Sequence, residues 1–266
     1  MSVVTDPEAL ALVMDARVQA LMADPTDLPM STIPVIIHRE RHPTASDGDT
    51  VRIRETVATT VADGSGAEMP GFPETDVALA LNARTREYLA ETEDGRTGAL
   101  SFPLNVDAEE TYSLYVSAAT QPLPAEFVRS EVRSGLDVMV FEISVKDRLV
   151  GTHSELGAPM VVDSQITVWV EPRTGRVVDT GDTATTLGLY NPATGKIPVF
   201  VSKLKLTDDS VAGQIVAAKD DRAQLALNGT YLPFGSVGLG VLLLATGVGL
   251  WRGLFGGWPE TAKETR

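Results

Sequence analysis

The chain has 266 residues and carries 36 acidic against 22 basic side chains, a net charge of -14. That excess argues against a nucleic-acid partner, because a phosphate backbone selects a surplus of Lys and Arg. With no cysteine, disulfides, zinc–thiolate sites, iron–sulfur clusters and thiol nucleophiles are excluded, and the three histidines, His38, His42 and His153, leave few placements for imidazole chemistry.

Residues 6–23 predict a helix. Asp6 suits an N-cap, Pro7 the first helical position and Glu8 the first turn, and Leu10, Val13, Met14, Arg17 and Leu21 follow helical spacing until Pro25 stops it. Residues 1–25 therefore read as an amphipathic helix or a linker. The stretch has no basic n-region, an interrupted apolar run and no clear cleavage site, so it does not read as a signal peptide.

From about residue 26 to 207 the pattern is that of an antiparallel β domain. Apolar and polar residues alternate in Val51-Arg52-Ile53-Arg54, in Val77-Ala78-Leu79-Ala80-Leu81 and in Ile166-Thr167-Val168-Trp169-Val170. Leu136 to Val145 is more continuously apolar, as expected of a strand covered on both faces. Val199 to Leu206 alternates again, with Lys203 and Lys205 on the wet face. Turns are expected at His42–Thr50 and Ala62–Glu74, which are rich in Gly, Pro and Asp. A weak repeat aligns Arg84-Thr85, after Val77–Asn82, with Arg173-Thr174, after Ile166–Glu171. A duplicated unit and the convergence of hairpin turns on the same residues explain it equally well. The expected fold is thus mainly β, a hairpin-rich sheet or sandwich, with two repeated halves as one reading, flanking helices and one C-terminal transmembrane helix.

Asp208 or Asp209 is expected to cap a juxtamembrane helix over 208–230, carrying Val211, Ile215, Ala218 and Leu225. Leu232 to Trp251 then holds twenty residues without a charge. At about 1.5 Å per residue such a helix spans the roughly 30 Å hydrocarbon core of a bilayer. Tyr231, Phe234, Trp251 and Trp258 lie where interfacial aromatics belong, and Arg252 ends the run. Residues 252–266 form a short tail whose Arg252 and Lys263 favour the cytoplasmic side, which leaves the acidic β domain outside. That topology expects a hydrophobic export element upstream of Met1; without one, the domain stays in the cytosol. Gly249, Gly253 and Gly257, with Ser236 and Gly240, give small-xxx-small spacings that suit homo-oligomerisation in the bilayer.

Groups able to carry chemistry are few. His38 and His42 have helical i, i+4 spacing, but Val35-Ile36-Ile37 reads as a strand and His42-Pro43 as a turn, so no metal site is expected. Carboxylate groups such as Asp107, Glu109 and Glu110 suit a solvated surface. Phe102, Tyr112, Tyr115, Phe127, Phe141 and Trp169 are spaced as core or interface aromatics. No nucleophile turn, Gly-rich phosphate loop or calcium-loop spacing is present, so no catalytic residue and no cofactor is expected.

The string Thr167–Thr186, TVWVEPRTGRVVDTGDTATT, preceded by Gly135–Glu142, resembles the signature of an envelope family found mainly in actinobacteria, the porin PorA family. The residues that carry it are Trp169, Glu171, Pro172, Arg173, Thr174 and Gly175, with Asn82-Ala83-Arg84-Thr85 similar to the family's earlier basic turn and Phe102–Asn105 with Thr111-Tyr112 to its Pro-Phe…Tyr segment. The resemblance implies a surface β domain anchored in the cell membrane, usually by helices at both ends, and supplies no catalytic residues. Three functions are expected from different classes: a non-enzymatic envelope protein whose domain binds an envelope ligand or protein, a porin subunit that conducts only as an oligomer, and a lipid or glycolipid carrier.

Overall fold

A computed structural model describes residues 33–69, 72–153, 157–181, 183–191 and 195–227. The expected N-terminal helix, the membrane segment with Leu232 and Trp251, and the tail with Arg252 lie outside the described residues. The chain divides into two compact units, Met1–Gln214 and Ile215–Arg266. Among the described residues of the first, ten strands run in order: β1 Val35–Asp47, β2 Thr50–Val61, β3 Thr75–Asn82, β4 Tyr112–Val116, β5 Gln121–Arg133, β6 Leu136–Thr152, β7 Pro159–Glu171, β8 Arg176–Thr180, β9 Thr183–Asn191 and β10 Gly195–Leu204. One sheet has the order β1-β2-β3. The other has the order β10-β9-β7-β6-β5-β4, with β8 also paired to β7. All ladders are antiparallel.

The same unit occurs in both sheets. In the first, β1 and β2 join through Gly48-Asp49 with Asp47 opposite Thr50; in the second, β5 and β6 join through Ser134-Gly135 with Arg133 opposite Leu136. Ser134 (φ 49°) and Gly135 (φ 73°) are both left-handed, the conformation that lets a two-residue turn follow the strand twist. Each hairpin has one bulge at the matching place. Pro43 faces Ile53 and the register then shifts before Ala45; Phe127 faces Phe141 and the register then shifts before Arg129. The third strand ends in a four-residue turn on both sides, and the chain returns in one register, Leu81 opposite Tyr88 and Val170 opposite Val177.

Inward-facing residues match too. Ile53, Leu79 and Leu81 are buried in the first sheet as Phe141, Val168 and Val170 are in the second. The larger core lies on the second sheet, where Phe102, Tyr112 and Phe141 meet at ring-centroid distances of 4.7–5.8 Å. Phe102 and Phe141 are wholly buried, each contributing roughly 2–3 kcal/mol by removal from water. Leu136, Val138, Val140, Phe141 and Ile143 are all buried, so β6 has the cover on both faces that its apolar run implied.

Two expectations are corrected. The chain does not turn at His42-Pro43, because β1 continues to Asp47. Pro43 is tolerated since β1 is an edge strand, where a missing N–H breaks no ladder, and a bulge follows it. The helix, α1 (Asp208–Ala226), is capped by neither Asp208 nor Asp209. Thr207 does it, its hydroxyl accepting the Ser210 N–H at 3.2 Å, while the two carboxylates occupy the first turn and favour the helix dipole. Among the described residues no helix is long and apolar enough to cross a membrane, which leaves strands unaddressed.

Candidate functional site

The signature residues build a clasped turn at the end of β7. Gly175 N–H donates to the Glu171 carbonyl at 2.9 Å, and Thr174 N–H donates to Glu171 Oε2 at 2.8 Å. Glu171 is only 1% exposed, and its Oε1 is buried without a hydrogen-bond partner among the described residues. The loop before β4 closes over the turn: Asn105 and Val106 N–H donate to the Arg173 and Pro172 carbonyls at 3.1 and 2.7 Å. Gly175 has φ 66°, and a Cβ there would sit 2.8 Å from the Phe102 carbonyl carbon and closer still to the carbonyl oxygens of Phe102 and Pro103. Only glycine fits.

The equivalent turn after β3 repeats this chemistry with Asn82 in the place of Glu171. Arg84 and Thr85 N–H donate to Asn82 Oδ1 at 2.9 and 3.1 Å, and Arg86 N–H, at φ 62°, donates to the Asn82 carbonyl at 2.9 Å. The two turns also meet, since Arg86 Nη2 donates to the Thr174 carbonyl at 3.5 Å. Trp169 is half-buried. Its Nε1–H donates to Glu131 Oε1 at 2.6 Å, and the Arg133 guanidinium lies 4.5 Å over its ring while pairing with buried Asp179. Trp169, Glu171, Pro172, Arg173, Thr174 and Gly175 are therefore brought together as a turn and its supports, and of these six Arg173 alone is exposed.

A second cluster, which the sequence reading missed, lies in the first sheet. Glu55 on β2 is 2% exposed. Arg41, opposite it on β1, donates to Oε2 at 2.7 Å, and Arg96 donates to Oε1 at 2.6 Å. Arg39, two residues before Arg41 and so on the same face of β1, reaches Oε2 only at 3.9 Å, beyond hydrogen-bond range. Arg96 is further tied to Asp94 at 2.5 Å and lies 5.5 Å over the Tyr115 ring.

Loss of water works against the Glu55 charge, but Arg96 and Arg41 outweigh it and hold the carboxyl below the usual carboxylate range. Burial likewise opposes the Arg96 charge, and the bonds to Glu55 and Tyr88 more than restore it. Arg39 goes the other way: desolvation and then repulsion from Arg41 lower it from the ordinary arginine value, with Glu55 compensating only in part. The available signal was the alternation itself, because Val51 and Ile53 put Glu55 on the inward face, where an unpaired carboxylate is costly.

The remaining candidates stay apart. His38 and His42 are both exposed on β1, roughly 13 Å apart along a strand at 3.3 Å per residue, and His42 meets Glu40 at 3.1 Å. Asp107 caps its own turn, accepting the Glu109 N–H at 2.9 Å. Among the described residues no group of three or more His, Asp or Glu is placed to hold a metal.

An antiparallel β protein with a twice-used three-strand unit, each ending in a side-chain-capped turn, is the class this geometry defines. The family model described as porin PorA matches residues 3–249, and the chain belongs to that family. Membership carries a coarse assignment, that of a porin-like envelope protein. No curated protein matches the chain.

Proposed function

We propose that this chain is a membrane-anchored, non-enzymatic envelope protein whose β domain lies outside the cell membrane and binds a partner or ligand there. Membership of the porin PorA family supports it most directly, taken with the uncharged run Leu232–Trp251, long enough to cross a bilayer as a helix. In the signature turn Glu171 Oε2 and the Pro172 and Arg173 carbonyls accept backbone N–H groups, and the Arg173 side chain is the one left exposed for a partner.

The family description favours a second reading, a channel. The described strands form open three- and seven-stranded sheets whose inner faces bury apolar side chains, so a conducting path requires several copies. Stable oligomers with conductance in reconstituted bilayers support this reading, and a monomeric, silent preparation removes it.

Topology tests the first proposal, and the absence of cysteine makes the labelling clean. Ser65→Cys, in an exposed turn, and Thr265→Cys, in the tail, are treated in intact cells with an impermeant maleimide. Labelling at 65 but not 265 is expected. Protection of both sites until lysis refutes an extracytoplasmic domain.

A further inference from the structure

The cluster around Glu55 is not required by the fold, and the chain itself contains the control. Ile53 and Glu55 on β2 occupy the places that Phe141 and Ile143 occupy on β6, counted from the matching bulges. Ile143 is 4% exposed and packs in the apolar core. An apolar residue therefore satisfies this position in the second copy of the unit. A buried ion pair is generally no more stable than well-packed apolar residues of like volume. The first unit nonetheless keeps a carboxylate there and assembles Arg39, Arg41 and Arg96 around it.

Three guanidinium groups face two carboxylates, Glu55 and Asp94, which leaves one positive charge over in a chain of net charge -14. The surplus sits where solvent can reach it. Arg96 is 14% exposed, whereas the Arg41 and Arg39 side chains are 38% and 49% exposed. Glu55 spends both oxygens on Arg41 and Arg96 and so fixes Arg41 in place, while Arg39 keeps its donors for another acceptor. Arg39 and Arg41 are next-but-one neighbours on β1, side by side on one face at a spacing of about 7 Å, which a single oxyanion can bridge.

We infer that Arg39 and Arg41, positioned by Glu55 and Arg96, form a binding site for a singly charged oxyanion of the phosphodiester kind, either free in solution or as the headgroup of a lipid. The guanidinium of Arg39, half-exposed and beyond hydrogen-bond range of Glu55, is the principal contact. Arg41 shares the anion, Glu55 holds Arg41 and Arg96 in register, and Tyr88 and Tyr115 wall the buried side around Arg96. This inference rests on the reading that the β domain binds a ligand and names that ligand's chemistry. It does not depend on the topology of the domain, so the labelling experiment and the one below can fail separately.

The test is thermal unfolding of the full chain in a zwitterionic detergent. Two probes are titrated, dimethyl phosphate and dioctanoyl phosphatidylglycerol, each against sodium chloride at matched ionic strength. A saturable rise in Tm on the order of 5 °C at 100-fold excess over Kd is expected. Arg39→Gln is expected to unfold like the parent without probe, since Arg39 makes no hydrogen bond to Glu55, and to lose the rise. A rise with dimethyl phosphate assigns a soluble phosphodiester, and a rise with the short-chain lipid alone assigns a headgroup. No rise beyond chloride with either probe, or an equal rise in Arg39→Gln, overturns the inference.

Discussion

Gly175→Ala is the substitution whose cost the structure allows to be split into parts. At φ 66° an alanine pays for the left-handed conformation, about 1–2 kcal/mol. Its Cβ would also press into the backbone of Phe102 and Pro103, with 2.8 Å to the Phe102 carbonyl carbon. Because those atoms are backbone, relief requires moving the segment that donates the Asn105 and Val106 hydrogen bonds to the turn, an overpacking cost of about 1–3 kcal/mol. The sum is about 2–5 kcal/mol, or on the order of 10 °C in Tm at this chain size. Gly135→Ala separates the two parts, since Gly135 has φ 73° and nothing within 4 Å of its added Cβ. It is expected to cost only the first, about 1–2 kcal/mol. Urea unfolding of the full chain in detergent, followed by far-UV circular dichroism, measures both. Equal losses for the two variants refute the claim that the segment around Phe102 clasps the signature turn.

Glu55→Gln removes the one carboxylate that both Arg41 and Arg96 bond, and is expected to cost about 3 kcal/mol in the same urea experiment, the lower end for a broken buried pair because two of the arginines reach solvent. Converting the set together, Glu55→Ile with Arg41→Met and Arg96→Met, is expected to cost less than Glu55→Gln alone; a larger loss contradicts the view that the fold does not need these charges. The acid limb of stability follows from the lowered pKa of Glu55, which its arginine partners hold below the usual carboxylate range. Its contribution is complete above the unfolded carboxyl value of about 4.3 and is lost as pH falls through the lower folded value, so the parent weakens below about pH 4 and Glu55→Gln shows a shallower slope there. Arg133→Gln strips the cation from the Trp169 ring and leaves buried Asp179 unpaired, for an expected loss of about 2 kcal/mol, and a variant as stable as the parent refutes that support.

Much of the β architecture was legible because one-sided burial imposes a period of two. Val77 to Leu81 and Ile166 to Val170 alternate in sequence, and their alternate residues Leu79, Leu81, Val168 and Val170 are buried. The signature turn was legible through Pro172 and Gly175, whose backbone requirements are local. What escaped depended on partners far along the chain. Arg96 lies 41 residues from Glu55, and no local pattern announces that they meet. Pro43 misled for a related reason. Proline marks a turn unless the strand is at an edge, and edge position is a property of the finished sheet. The helix cap went to Thr207 rather than to the aspartates because the hydroxyl stands one residue before the first helical residue, where it can reach the Ser210 N–H.

The repeat, which the sequence left open, is better decided by what surrounds the turns than by the turns. Convergence accounts for two left-handed residues and two capping side chains, since such turns select them. It does not account for a bulge at the matching place on the first strand of each unit, for the two-residue hairpin turns that follow it, or for the return registers Leu81–Tyr88 and Val170–Val177. The second hairpin is longer by two residues on each arm, yet its bulge keeps its place relative to the inward residues. Within that shared frame the two copies diverge in a directed way. The second has Phe141 and Ile143 inside, and builds the larger core. The first has Ile53 and Glu55, and gathers arginines. A chain that needed only stability would gain nothing by keeping the charged version, because its own other half shows the apolar one folding. The division of one unit into a packing copy and a charged copy is the clearest physical reason to look for the ligand on β1.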